Sequence, residues 1–206
     1  MTEVFGIDSV VERVCGLGFR KRAGYVFTVS LDDGVDGWLG LNTGTRNRGR
    51  GETRLNPVVG VRHLGVERKL AEILGESMHA YLPPTVSSPL RYLVSEESRR
   101  DWVLVGSVSD LAVGNDIAVG VEKFGFAFMR ACGSLQGLIG AMHRGHGHHE
   151  QNAFRLPVAL LLGGDSSEAL RSVDSQLAAI GDRLDPAAGA FRDFARRFRQ
   201  VVTVVH

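Results

Sequence analysis

Cysteine is nearly absent. Cys15 and Cys132 are the two in 206 residues, too few for the disulfide frameworks that staple small secreted domains. Each falls on a predicted helix among apolar neighbours, where a reduced, buried thiol is expected. Proline is scarce too: 6 prolines stand against 26 glycines, and with 44% hydrophobic residues that excludes collagen-like and Pro-rich disordered chains. No sign of charge dominates, since 24 basic and 23 acidic residues leave a formal net charge of +1, so bulk attraction to nucleic acid or to a membrane surface is not expected. Long apolar runs are missing. The longest, Leu156 to Leu162, contains Pro157 and falls far short of the roughly 20 residues a membrane helix needs. The opening Met1-Thr2-Glu3-Val4-Phe5-Gly6-Ile7-Asp8 carries acidic residues where a signal peptide would carry basic ones, so a cytoplasmic location is expected. Lysine is rare, with Lys21, Lys69 and Lys123 the only ones; arginine supplies the rest of the positive charge.

What is present suits one globular domain or two small packed lobes. Val4, Ile7, Val11 and Val14 recur at helical spacing behind Thr2, and Gly16 and Gly18 end that first helix. The period then changes to two. Tyr25, Phe27, Val29 and Leu31 alternate with Val26, Thr28 and Ser30, which predicts a strand. Asp32-Asp33-Gly34 is a turn, and a second strand around Gly37 to Leu41 completes a hairpin. A third strand is expected over 58–64, a short helix over 66–74, an irregular stretch over 78–89, and two further strands over 91–94 and 102–105.

From there the pattern is helical. Asn115 or Asp116 caps a helix through Cys132, Ser134 caps a second, and a third spans 153–162, kinked or started late by Pro157. Asp165-Ser166-Ser167-Glu168 has the form of a capping box. Asp185-Pro186 opens a last helix with Phe191, Phe194, Phe198 and Val201 as its buried stripe and Arg192, Arg196 and Arg199 on its wet side. Strands that cluster instead of alternating with helices predict an antiparallel sheet. The expected fold is therefore α+β: an N-terminal helix, a mainly antiparallel sheet of about five strands, and a helical C-terminal half. Residues 1–142 form the α+β domain, and 143–206 a helical extension packed on it.

The run Gly16-Leu17-Gly18-Phe19-Arg20-Lys21-Arg22-Ala23-Gly24-Tyr25-Val26-Phe27, the later Asn56-Pro57-Val58-Val59-Gly60-Val61, and the Trp102 strand followed by a helix with Phe124, Phe126 and Phe128 resemble a bacterial domain of unknown function, the one numbered four thousand three hundred and four. The resemblance covers about residues 3 to 142. It implies a small cytoplasmic bacterial protein of the kind found near toxin or phage-defence loci, and it supplies no catalytic residue.

Two segments carry candidate chemistry. In residues 42–54 no side chain is apolar, and Arg46, Arg48, Arg50 and Arg54 are interleaved with Gly and Asn. Such guanidiniums can pair phosphates bidentately or dock on an acidic protein. No aromatic residue lies among them to stack on bases, which favours a protein partner over nucleic acid. The second segment, His143-Arg144-Gly145-His146-Gly147-His148-His149-Glu150, offers imidazoles and a carboxylate as ligands for zinc or another divalent metal. His143, His146, His148, His149 and Glu150 are the candidate ligands, although the His-Glu-x-x-His order of a zinc protease is missing. Glu67-Arg68-Lys69 has a nuclease-like Glu-x-Lys form, but it falls on an amphipathic helix with no Asp on the preceding strand. There is no phosphate-cradling P-loop and no Gly-x-Ser-x-Gly elbow. The reading is a non-enzymatic, immunity-like or defence-associated binding protein acting through its arginine segment, with no cofactor. The alternatives are a metal-dependent hydrolase or nuclease built on the histidine segment, and a nucleic-acid-binding protein.

Overall fold

The computed structural model describes residues 6–44, 52–94 and 101–204. They form an α+β fold with an N-terminal helix, a mainly antiparallel sheet and a helical C-terminal half. The chain divides into two compact units, one holding residues 1–61 and 87–131, the other 62–86 and 132–206.

The first unit is built on the sheet. Helix α1 (Ile7–Gly16) buries Ser9, Val10 and Val14 and packs against α3 (Ser109–Gly120). Cys15 lies one residue beyond that buried face and is exposed, contrary to the expected burial, because a step of one residue turns the side chain about 100° around the helix axis. Thr2 and Val4 lie outside the described residues. Strands β1 (Arg20–Lys21), β2 (Val26–Asp32), β3 (Val35–Gly44), β4 (Thr53–His63) and β5 (Val86–Pro89) lie side by side in that order, and β6 (Trp102–Leu104) pairs with β4. The hairpin forms at the expected turn. Gly34 takes φ 73°, a conformation only glycine adopts freely, and Phe27 faces Leu39 across the antiparallel pair. Strand β3 is buried on both faces from Gly37 to Leu41, as a central strand must be.

Two sequence expectations are corrected here. Residues 91–94 do not form a strand. The pairing segment is Val86–Pro89, where Val86 and Ser88 alternate inward, and a 3₁₀ turn takes Leu90–Tyr92. Pro89 has no N–H to continue a ladder, which is why the strand stops there. The helix expected to start at Asn115 or Asp116 starts about two turns earlier, at Ser109. The buried carboxylate of Asp110 accepts from the backbone N–H groups of Gly6, Val105, Gly106 and Ser107 at 2.8–3.2 Å and so fixes the entry to α3. Asp116, inside that helix, instead accepts from the indole Nε1 of Trp102 at 2.7 Å. The helix passes through a π-helical turn, Val121–Gly125, into α4 (Phe126–Ala131).

The second unit is helical. Helix α2 (Leu64–Leu74) ends at Gly75 in the left-handed conformation. It packs against α6 (His149–Leu162) and α8 (Pro186–Val204). Helix α5 (Leu135–His143) starts on the Ser134 hydroxyl, which accepts from Gly137 N–H, and α7 (Ser166–Ile180) on the Asp165 carboxylate, which accepts from Glu168 N–H. Both caps stand where their sequence signals put them. Helix α6 begins one turn before the expected residue 153 and runs through Pro157 without ending. The proline ring is buried there, and its missing donor removes a single helical bond. On α8, Phe191, Phe194 and Phe198 are buried as expected, but Val202, not Val201, completes the stripe. Phe154 of α6 meets Phe191 and Phe194 edge-on, with centroids 5.2 and 5.1 Å apart.

Candidate functional site

The arginine segment meets the described structure at one end of the sheet. Arg46, Arg48 and Arg50 lie outside the described residues, whereas Arg54 sits on β4 opposite Val103 of β6. Gly44, the last residue of β3, lies so near that a Cβ there would be 3.7 Å from that of Arg54. Gly44, Arg54, Arg91, Tyr92 and Asp101 line a cleft of about 540 Å³, with Trp102 behind them. The Arg54 guanidinium pairs with Asp101 at 3.3 Å, with both side chains more than half exposed. A pair of that kind is worth about 0–1 kcal/mol and yields readily to a competing anion. Tyr92 is 65% exposed. This cleft therefore presents guanidinium groups beside an open aromatic face. Arg91 and Tyr92 went unnoticed in the sequence because residues 91–94 read as a strand.

The histidine segment is spread over three elements. His143 ends α5, His146 lies in the connection, His148 precedes α6, and His149 and Glu150 open it. Gly145 and Gly147 take φ 82° and 91°, and the Asn152 amide donates to the His146 carbonyl at 2.8 Å. Burial, with the nearby Arg144 charge adding to it, lowers the His146 pKa and favours the neutral ring. His143 and His149 share a cleft of about 460 Å³ with Glu168 and Arg171, but Glu168 is already engaged by the Arg171 Nε at 2.8 Å. Among the described residues no three His, Cys, Asp or Glu side chains are grouped as ligands for one metal ion.

A third group was missed in the sequence. Glu67, read there as part of an amphipathic helix, is buried on α2. Its Oε1 accepts from Arg155 Nε at 2.7 Å and from the Thr85 hydroxyl at 2.8 Å, and its Oε2 lies 3.3 Å from Arg155 Nη2 and 3.5 Å from Arg62 Nη1. Arg62 also donates to the carbonyl oxygens of His79 and Pro83, and Thr85 accepts from the His63 N–H at 2.9 Å. Beside them His63 caps α2 through Nδ1. Burial lowers its pKa, against smaller raising contributions from a backbone hydrogen bond and the Glu67 charge. The available signal was a charged residue, Arg62, next to the apolar run of β4, and Arg155, one turn from the buried Val158 and Ala159. Cys132 is buried, which pushes its thiol up to about 11 and leaves it no nucleophile near neutral pH. Compared with protein-family models, with curated proteins and with solved structures, the chain matches none.

Proposed function

We propose that the protein is a non-enzymatic binding protein that captures an acidic partner protein at the cationic end of its sheet. The observation that carries this reading is the sharing of one cleft by Arg54, Arg91 and the open Tyr92 ring. Arg and Tyr are the residue types that supply most binding energy at protein interfaces. In sequence Arg46, Arg48 and Arg50 stand between Gly44 and Arg54 of that cleft. The bacterial defence-associated setting that the family resemblance implies makes a protein the first partner to seek.

Full-length protein, an Arg54→Ala/Tyr92→Ala variant, and a variant with residues 45–51 replaced by a short turn should be used in parallel to capture partners from host extract. Direct binding to each recovered partner is then measured. The reading expects a protein whose affinity falls at least about tenfold in both variants, and equal capture by all three forms overturns it.

The exposed Tyr92 ring also favours a second reading, in which single-stranded nucleic acid stacks there between guanidiniums. Mobility shifts at two salt concentrations decide between the two. Nucleic-acid binding through several phosphate contacts would weaken steeply with salt.

A further inference from the structure

Three kinds of group meet in the cleft at the end of the sheet. Strand β6 pairs with β4 over Thr53–Leu55, and β5 stops at Pro89. The cleft opens where they part, with Arg54 and Asn56 of β4, Arg91 and Tyr92 of the 3₁₀ turn, and Asp101 around it. Arg54 and Asn56 are two apart on the strand and so share a face, and both are exposed while Leu55 between them is buried. Trp102 is buried behind, its indole Nε1 tied to Asp116 at 2.7 Å. The volume of about 540 Å³ falls within the range of small-molecule sites.

Each group calls for a different part of a ligand. The guanidiniums of Arg54 and Arg91 suit a phosphate, whose oxygens accept bidentate pairs. The open ring of Tyr92 suits a base, because every base has a face that stacks. Asp101 Oδ2 lies 3.3 Å from Arg54 Nη1 in a pair more than half exposed on both sides, and pairs of that kind are held weakly. The two oxygens of a carboxylate can accept from two neighbouring hydroxyls. Phosphate, base and a vicinal diol occur together in a ribonucleotide. A phosphorylated side chain has no diol, and an acidic one has neither phosphate nor diol.

We infer that this cleft binds a ribonucleoside monophosphate. The phosphate replaces Asp101 on Arg54, with the Arg91 charge beside it, and the base stacks on Tyr92. The released Asp101 carboxylate accepts from the 2′ and 3′ hydroxyls of the ribose. The exchange strands no charge, since each member of the ion pair gains a new partner from the same ligand. The fixed Trp102 wall limits the ordering that binding must impose. Nucleotide binding goes beyond the capture of an acidic protein and does not rest on it. Where both occur they compete for Arg54 and Tyr92, so the nucleotide releases the partner.

The test titrates the full chain with adenosine 5′-monophosphate by calorimetry. Its 2′-deoxy counterpart, adenosine, ribose 5-phosphate, phosphotyrosine and an oligoriboadenylate are titrated beside it. The monophosphate should saturate at one site, with adenosine, ribose 5-phosphate and phosphotyrosine at least about tenfold weaker and the deoxynucleotide severalfold weaker. Tyr92→Leu should bring the monophosphate down to the level of ribose 5-phosphate, and Arg54→Gln down to that of adenosine. Asp101→Asn should erase the preference for ribose over deoxyribose. These side chains are exposed, so all three variants should keep the wild-type thermal midpoint. The inference is overturned if the monophosphate does not saturate the wild-type protein, if any of the three weaker probes binds as tightly, or if Tyr92→Leu binds undiminished. An oligoriboadenylate bound more than about tenfold tighter per site also overturns it, in favour of a nucleic-acid strand. Protein capture can fail while the monophosphate binds, and the reverse, so the two readings fall separately.

Discussion

The Arg155 guanidinium closes on the Glu67 carboxylate through two nitrogens, Nε 2.7 Å from Oε1 and Nη2 3.3 Å from Oε2, across 88 positions of sequence. Removing the carboxylate takes from buried Arg155 the counter-charge it pairs with. Glu67→Gln should therefore lower stability by about 3–5 kcal/mol, read as a fall in the urea midpoint. A loss under about 1 kcal/mol would show that water reaches the cluster.

Asp110 organises the start of α3 by gathering four backbone N–H groups on one carboxylate. Asp110→Asn keeps the shape but turns an NH₂ donor toward those donors. A cost of about 2–3 kcal/mol is expected. Hydrogen exchange should locate the loosening at 105–107 and at the first turn of α3.

The lowered pKa of His63 sets a pH response. The folded protein holds this ring neutral below the ordinary value of 6.5, so the unfolded chain binds more protons between the folded pKa and 6.5. Stability is then fully present above pH 6.5 and is lost as pH falls through the folded pKa. Protonation also removes the Nδ1 acceptor that caps α2 at Val66. Thermal midpoints should fall below pH 6.5, before the carboxylates titrate. His63→Asn, a cap without this titration, should flatten that part of the curve.

The two cysteines should separate by reactivity. With its pKa at about 11, Cys132 is about one part in a thousand thiolate at pH 8. Cys15 is exposed. Mass spectrometry after brief alkylation of the native protein should find one adduct, on Cys15. Cys132 should react only after denaturant opens the fold.

Local chemistry was the part of the structure legible in the sequence. Turn and cap residues act over three or four positions, so Gly34, Gly75, Ser134 and Asp165 announced their roles directly. Period-two alternation likewise announced β2, and the strands clustered as expected. Long-range chemistry was silent. Glu67 needs Arg62 and Arg155 beside it to be worth burying, and only folding brings them there. Asp110 hid in the same way, because its partners are backbone groups that carry no sequence signature. The cleft at the sheet end was half legible: Arg54 stood out, while Arg91 and Tyr92 were concealed by the mistaken strand over 91–94.

The chain passes from one compact unit to the other at 61/62, 86/87 and 131/132. No single cut in the gene liberates either piece whole. A fragment starting at residue 132 lacks α2 and with it Glu67, leaving Arg155 without its carboxylate. A fragment ending at 131 carries α2 with nothing from α6 or α8 to cover it. Recombination or fusion must therefore move residues 62–204 together with what precedes them, and a shortened version of this protein has to be made by trimming loops instead of by dividing it.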